Sequence, residues 1–119
     1  MGLLVGFGDF LGRPDPTTSG AATPVRMSMA GFTPAVIEAK AGQALTLELW
    51  TTDAAPHLQN GVHTLISDEL AVYEELTAES RRTVTLTMPS APGDYDIYCD
   101  TCCGGKASPT MHGTIQVEA

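Results

Sequence analysis

The sequence predicts an all-β chain folded as a β-sandwich. Two period-2 runs and the spacing of the turn signals carry that prediction. In the first run Leu45, Leu47 and Leu49 alternate with Thr46 and Glu48; in the second Val84, Leu86 and Met88 alternate with Thr85 and Thr87. Strict alternation marks a strand with one buried face, because successive side chains point to opposite sides. Several such short runs, divided by clusters of Gly, Pro, Asp and Ser, are the pattern of two stacked sheets. A length of 119 residues suits one domain with its own core.

Residues 1 to 24 read as a flexible N-terminal arm. "GRPDPTTSGAATP" is rich in Pro, Gly, Ser and Thr and offers little to bury. Phe7, Phe10 and Leu11 are the apolar exceptions, available to pack on the domain or on a partner. The domain proper spans 25 to 119. Val36 to Lys40 reads as a short strand, and "KAGQ" (Lys40 to Gln43) as the turn into the leucine run. Asp68 to Leu76, "DELAVYEEL", is the one stretch that suits a helical turn. After the Val84 run "SAPGDY" turns the chain, and Tyr95, Ile97 and Cys99 then share a face opposite Asp94, Asp96 and Tyr98. A last strand carries Ile115 and Val117, and no internal repeat is present.

The formal charge of −8 argues against nucleic acid and against anionic membrane surfaces as partners. It suits a soluble protein or one that docks on a basic patch. No run approaches the roughly 20 apolar residues that span a bilayer. Leu3-Leu4-Val5 with Phe7 and Phe10 is too short and glycine-broken for a signal-peptide core. As the remnant of a removed signal or anchor it points to an extracytoplasmic, periplasmic or membrane-anchored protein. No Ser–His–Asp logic is visible, and Asp94, Asp96 and Asp100 read as turn and solvent-face acids. Neither an enzyme nor a small-molecule substrate is expected.

The chemistry is concentrated in "YCDTCCGGKASPTMHG", Tyr98 to Gly113, which holds all 3 cysteines, Cys99, Cys102 and Cys103. Cys99 ends a strand whose inward residues are Tyr95 and Ile97, so its thiol should point into one end of the sandwich. Cys99 and Cys103, with a turn between them, are spaced to converge on one point. Gly104-Gly105 give the backbone freedom directly afterwards. A Cys99–Cys102 disulfide with Cys103 spare fits the C-x-x-C spacing. A zinc site of three thiolates and one His also fits, but zinc ligands usually come as two separated pairs. Thiolate, thioether and imidazole together form the set that selects copper, and copper is the leading reading.

The imidazoles are fewer. His57 and His63 flank "HLQNGVH" at an even separation, so an extended segment would put both on one side. Val62 and Leu65 bracket His63 and set it at the core's edge. His112 directly follows Met111, and in an extended segment the two point opposite ways; Met111 is the better ligand. Met27 and Met29 read as core filler or as a secondary Cu(I) pair.

Taken in order, "GVH", the long loop, "VTLTMPSAPGDYDIYC", the second Cys and "PTMHG" resemble a cupredoxin, the copper-binding Greek-key β-sandwich, over residues 25 to 119. Cys99-x-x-x-Cys103 with Met111-x-Gly113 is similar to the dinuclear CuA centre of cytochrome oxidase subunit II and nitrous oxide reductase. The loop also matches small bacterial cupredoxin-like domains with a "C-x-x-CCGG-x-x-x-P-x-M-x-G" pattern. The resemblance implies that Cys99 and Cys103 bridge two coppers, that His63 is the upstream imidazole ligand and that Met111 is a weak axial thioether. It implies a backbone-carbonyl ligand at Thr101. Three departures stand out. Ala107 occupies the place of the second CuA histidine, the loop to Met111 is one residue longer, and Cys102 has no counterpart. The missing imidazole then comes from His57, from a second chain, or is replaced by the Cys102 thiolate.

Two functions fit. The first is electron transfer through a thiolate-rich copper site, multinuclear and CuA-like, with a redox protein or respiratory oxidase as partner. The alternative is a Cu(I) chaperone or storage protein for oxidase assembly, drawing on Met27, Met29, Met88 and Met111. One or more copper ions are expected, with two or more on the CuA analogy. The oligomeric state is not set by the sequence.

Overall fold

The computed structural model describes residues 22–57, 61–101 and 104–119. Among the described residues nine strands run in order: β1 (Thr23–Ser28), β2 (Gly31–Thr33), β3 (Val36–Lys40), β4 (Ala44–Trp50), β5 (Val62–Ser67), β6 (Val72–Thr77), β7 (Arg81–Thr87), β8 (Gly93–Tyr98) and β9 (His112–Glu118). They form a four-stranded sheet in the order β2-β1-β4-β7 and a five-stranded sheet in the order β3-β9-β8-β5-β6. The chain crosses repeatedly from one sheet to the other, and β9 lies between β8 and the distant β3, pairing parallel with the latter. This is the all-β sandwich expected from the alternation, with the Greek-key order that the resemblance implied.

The core is the product of that alternation. Leu45, Leu47 and Leu49 of β4 and Val84 and Leu86 of β7 face inward from one sheet. Ile37, Leu65, Leu76, Ile97, Ile115 and Val117 face them from the other. Each fully buried aliphatic side chain contributes about 1.5–3 kcal/mol relative to exposure. Met27 and Met88 complete the core, whereas Met29 is exposed, so the two N-terminal methionines do not form a common group. Among the described residues no helix is long and apolar enough to cross a membrane.

The expected helical turn at Asp68 to Leu76 does not form. Asp68–Ala71 is a tight turn, closed by the Ala71 N–H donating to the Asp68 carbonyl at 3.3 Å, and β6 follows. A nine-residue helix is marginal in isolation. The same residues instead pair antiparallel with β5 along the whole strand, from Val62 opposite Thr77 to Ser67 opposite Val72. Tyr98 also departs from the simple pattern: it lies on the polar face of β8 yet is buried. Lys106 extends over its ring at 5.0 Å, and its hydroxyl donates to Asp68 at 2.9 Å.

Pairing across the five-stranded sheet brings the functional segments to one end. His112 at the start of β9 lies opposite Tyr98 at the end of β8, and Tyr98 in turn lies beside Ile66 of β5. Gly113 has to be glycine at this corner. A Cβ there would stand 2.8 Å from the Ala35 carbonyl oxygen, which accepts the Thr114 N–H at 2.8 Å.

Candidate metal centre

Cys99 directly follows β8, and its side chain continues the inward face begun by Ile97. The thiol is only 2% exposed and is surrounded by donors. The Thr64 amide reaches Sγ at 3.4 Å and its hydroxyl at 3.8 Å, while the Thr101 hydroxyl lies 3.4 Å away. His63 Nδ1 is 3.7 Å from the same sulfur. Burial pushes the thiol pKa up, but hydrogen bonds from His63, Thr101 and the Thr64 amide outweigh it and leave it at about 6. At neutral pH the sulfur is therefore chiefly thiolate, the form that binds metal.

His63, in β5, is completely buried and belongs to the core rather than to its edge. Its second nitrogen, Nε2, is 2.9 Å from Asp53 Oδ2. Burial lowers the imidazole pKa, yet hydrogen bonds to Cys99 and Asp53 outweigh it, and the net shift is upward. A single ring thus links a carboxylate on one side to a thiolate on the other.

Met111 ends a 3-10 turn, Pro109–Met111, whose first residue is proline. It is fully buried, and its carbonyl accepts the Cys99 N–H at 2.9 Å. His112 turns the other way although the preceding segment is a 3-10 turn rather than a strand. Its Nδ1 meets Asp96 Oδ1 at 2.8 Å and its Nε2 meets the Lys106 carbonyl at 2.6 Å. Both partners are acceptors, so satisfying both requires the doubly protonated ring; the Lys106 carbonyl and Asp96 together raise its pKa. Lys106 also joins Asp68 at 2.7 Å, and its amide donates to Asp100 Oδ1 at 3.0 Å, tying the loop after the cysteines to the outer face.

The structure thus brings together Cys99, His63 and, through its backbone, Met111. Cys102 and Cys103 lie outside the described residues, as does the side chain of His57. The backbone of His57 closes a 3-10 turn, Ala55–His57, and residues 58–60, which join it to the His63 strand, lie outside the described residues. Three residues were not anticipated in these roles: Thr64 and the Thr101 hydroxyl beside the sulfur, and Asp53 on the far nitrogen of His63. Thr64 was legible in principle, because a residue following an inward His on a strand edge offers its amide to the same site. Asp53 carried only a weak signal, a polar "TTD" directly after the leucine strand.

A cupredoxin-like domain model matches residues 9–117. The chain belongs to the cupredoxin-like domain family. No curated protein matches it in sequence. Among solved structures, this cupredoxin is similar to a copper-binding protein determined in solution in its apo form, at 23% identity and a TM-score of 0.61, with 82% of this chain and 86% of the other covered. It is similar to the Cu-containing nitrite reductase of Thermus scotoductus SA-01, at 25% identity and a TM-score of 0.55 over 85% of this chain, but spans only 23% of that enzyme. It is also similar to a chain of a heme-copper terminal oxidase dimer, at 19% identity and a TM-score of 0.57, covering 81% of this chain and 60% of that one.

The donors of the cupredoxin fit a soft metal ion. Metal–nitrogen and metal–sulfur bonds of about 2.0–2.1 and 2.3 Å meeting at a tetrahedral angle set their donor atoms about 3.6 Å apart. Nδ1 of His63 and Sγ of Cys99 are 3.7 Å apart. A lowered thiol pKa, an imidazole held by its far nitrogen and a buried thioether residue form the set expected for copper.

Proposed function

We propose that this cupredoxin is an electron-transfer protein with a thiolate-rich copper centre holding more than one copper. The observation that carries the reading is the buried Cys99–His63 pair, 3.7 Å apart at the end of the sandwich where Met111 also lies. Copper bound there supplies a one-electron couple whose bonding is delocalised onto sulfur. Cys99, His63 and Met111 are the chain's own ligands in this reading. Thr64 and Thr101 donate to the sulfur and moderate its charge, and the surrounding core excludes water. The Cys99–Met111 backbone bond ties two of these residues together.

The loop pattern Cys99-x-x-x-Cys103 with Met111-x-Gly113 supports a multinuclear, CuA-like centre. In it Cys103 would supply a second thiolate, Cys102 would add a thiolate or hydrogen-bond to one, and His57 would supply the further imidazole. We read the protein as an extracytoplasmic electron carrier rather than an enzyme, with a redox protein or respiratory oxidase as partner. The test is to load the reduced apo-protein with equimolar copper and zinc and to measure bound metal after desalting. Copper in excess, with visible colour when oxidised, is the expected result. Zinc in excess defeats the reading, and colourless Cu(I) that exchanges readily points to copper delivery instead.

A further inference from the structure

We propose that Asp53 is a positioning residue for this centre, fixing the ring of His63 and, through its charge, strengthening that ring as a donor to oxidised copper. The inference rests on the copper reading above and extends it to a residue outside the proposed ligand set.

The geometry is specific. A carboxylate has only acceptors, so at the 2.9 Å contact Nε2 of His63 must carry the proton. Nδ1 is thereby the nitrogen turned toward Cys99. Turning the ring over would lose the Asp53 bond and put a ring carbon, Cδ2, beside the sulfur. The pair is shielded as well as close, with side chains 0% and 18% exposed for His63 and Asp53. A carboxylate in such a place is costly unless donors face it, and the His63 N–H is such a donor.

Asp53 is itself held firmly. Its amide donates to the Thr51 hydroxyl at 3.0 Å, and its carbonyl accepts the Glu79 N–H at 3.0 Å. Thr51, buried, is anchored in turn by its amide on the Ser80 carbonyl at 3.0 Å. The turn between β6 and β7 therefore braces the segment after β4, and that segment braces the histidine. A backbone carbonyl would orient the ring equally well. A carboxylate adds a negative charge one ring away from the metal position, which favours the more positive oxidation state.

The experiment uses the full chain and its Asp53→Asn and Asp53→Ala variants. In metal-free protein, proton NMR should show a slowly exchanging His63 Nε2 proton in the wild type and in Asp53→Asn, but not in Asp53→Ala. Asp53→Asn keeps shape and hydrogen bond but removes the charge, so Cu(II) affinity should fall about 10- to 100-fold. Cu(I) affinity should fall less, so that the reduction potential rises. Asp53→Ala should weaken both states further. An unprotected Nε2 proton in the wild type overturns the positioning role. Equal Cu(II) affinity in Asp53→Asn and wild type overturns the role of the charge. A wild type that takes up no copper defeats the copper reading, while the metal-free proton measurement still decides the Asp53–His63 bond.

Discussion

The amide of Cys99 donates to the carbonyl of Met111 across 2.9 Å. The two sulfur residues at the ends of the cysteine loop are therefore held side by side by the backbone, as a continuation of the β8–β9 ladder. Both are buried. Such preorganisation is what a one-electron site needs, because ligands that stay put add little to the reorganisation accompanying each electron.

Met111→Leu separates packing from ligation. The side chains are of similar volume, so the stability cost should stay below about 1.5 kcal/mol. The copper-loaded spectrum should shift, because the thioether is gone. An unchanged spectrum with unchanged stability would reduce Met111 to core filler.

Gly113→Ala tests the corner that sets Met111 against Cys99. The added Cβ would stand 2.8 Å from the Ala35 carbonyl and 3.3 Å from Ile97, with little slack in the backbone. A loss of about 1–3 kcal/mol is expected, read as a lower urea midpoint at constant slope. A midpoint equal to that of the wild type would mean that the β3–β9 corner is looser than the geometry indicates.

The thiol of Cys99 gives the metal-free protein a characteristic pH dependence. Its folded pKa is about 6 against an ordinary 9.0, so between those values the unfolded chain holds a proton that the folded chain lacks. Its stabilising contribution is complete above pH 9.0 and is lost as pH falls through about 6. His63, raised, contributes in the opposite sense: fully below 6.5, and lost as pH rises through its folded value. Thiolate absorbance should show one group ionising near pH 6, and His63→Ala should move it upward by removing the largest of the lowering interactions. A first ionisation near pH 9.0 in the wild type would contradict the described pairing.

His112 and His57 should behave differently. His112 is committed to Asp96 and the Lys106 carbonyl on the outer face, so His112→Ala should leave copper per chain and the paramagnetic resonance spectrum unchanged. His57→Ala should lower the copper content or localise the unpaired electron on one metal. The reverse pattern would make His112 the missing ligand.

Much of the fold was legible because strand periodicity is local. Leu45 to Leu49 and Val84 to Met88 declared their inward faces, and the same rule aimed Cys99 into the sandwich. What escaped was decided by distant partners. Asp68 to Leu76 suits a helical turn alone, but β5 offers it a full ladder of hydrogen bonds. Tyr98 sits on a polar face and is buried because the Lys106 loop folds over it. Asp53 reaches His63 only because the β6–β7 turn holds its segment in place, a constraint that no local pattern records.

The most direct measurement is the visible spectrum of the copper-loaded protein through one cycle of chemical reduction and reoxidation. Intense thiolate-to-copper bands should be present in the oxidised protein, bleach on reduction, return on reoxidation and be absent from Cys99→Ser. A copper-loaded protein that is colourless under oxidising conditions, or whose bands persist in Cys99→Ser, would contradict a copper–thiolate electron-transfer site built on Cys99.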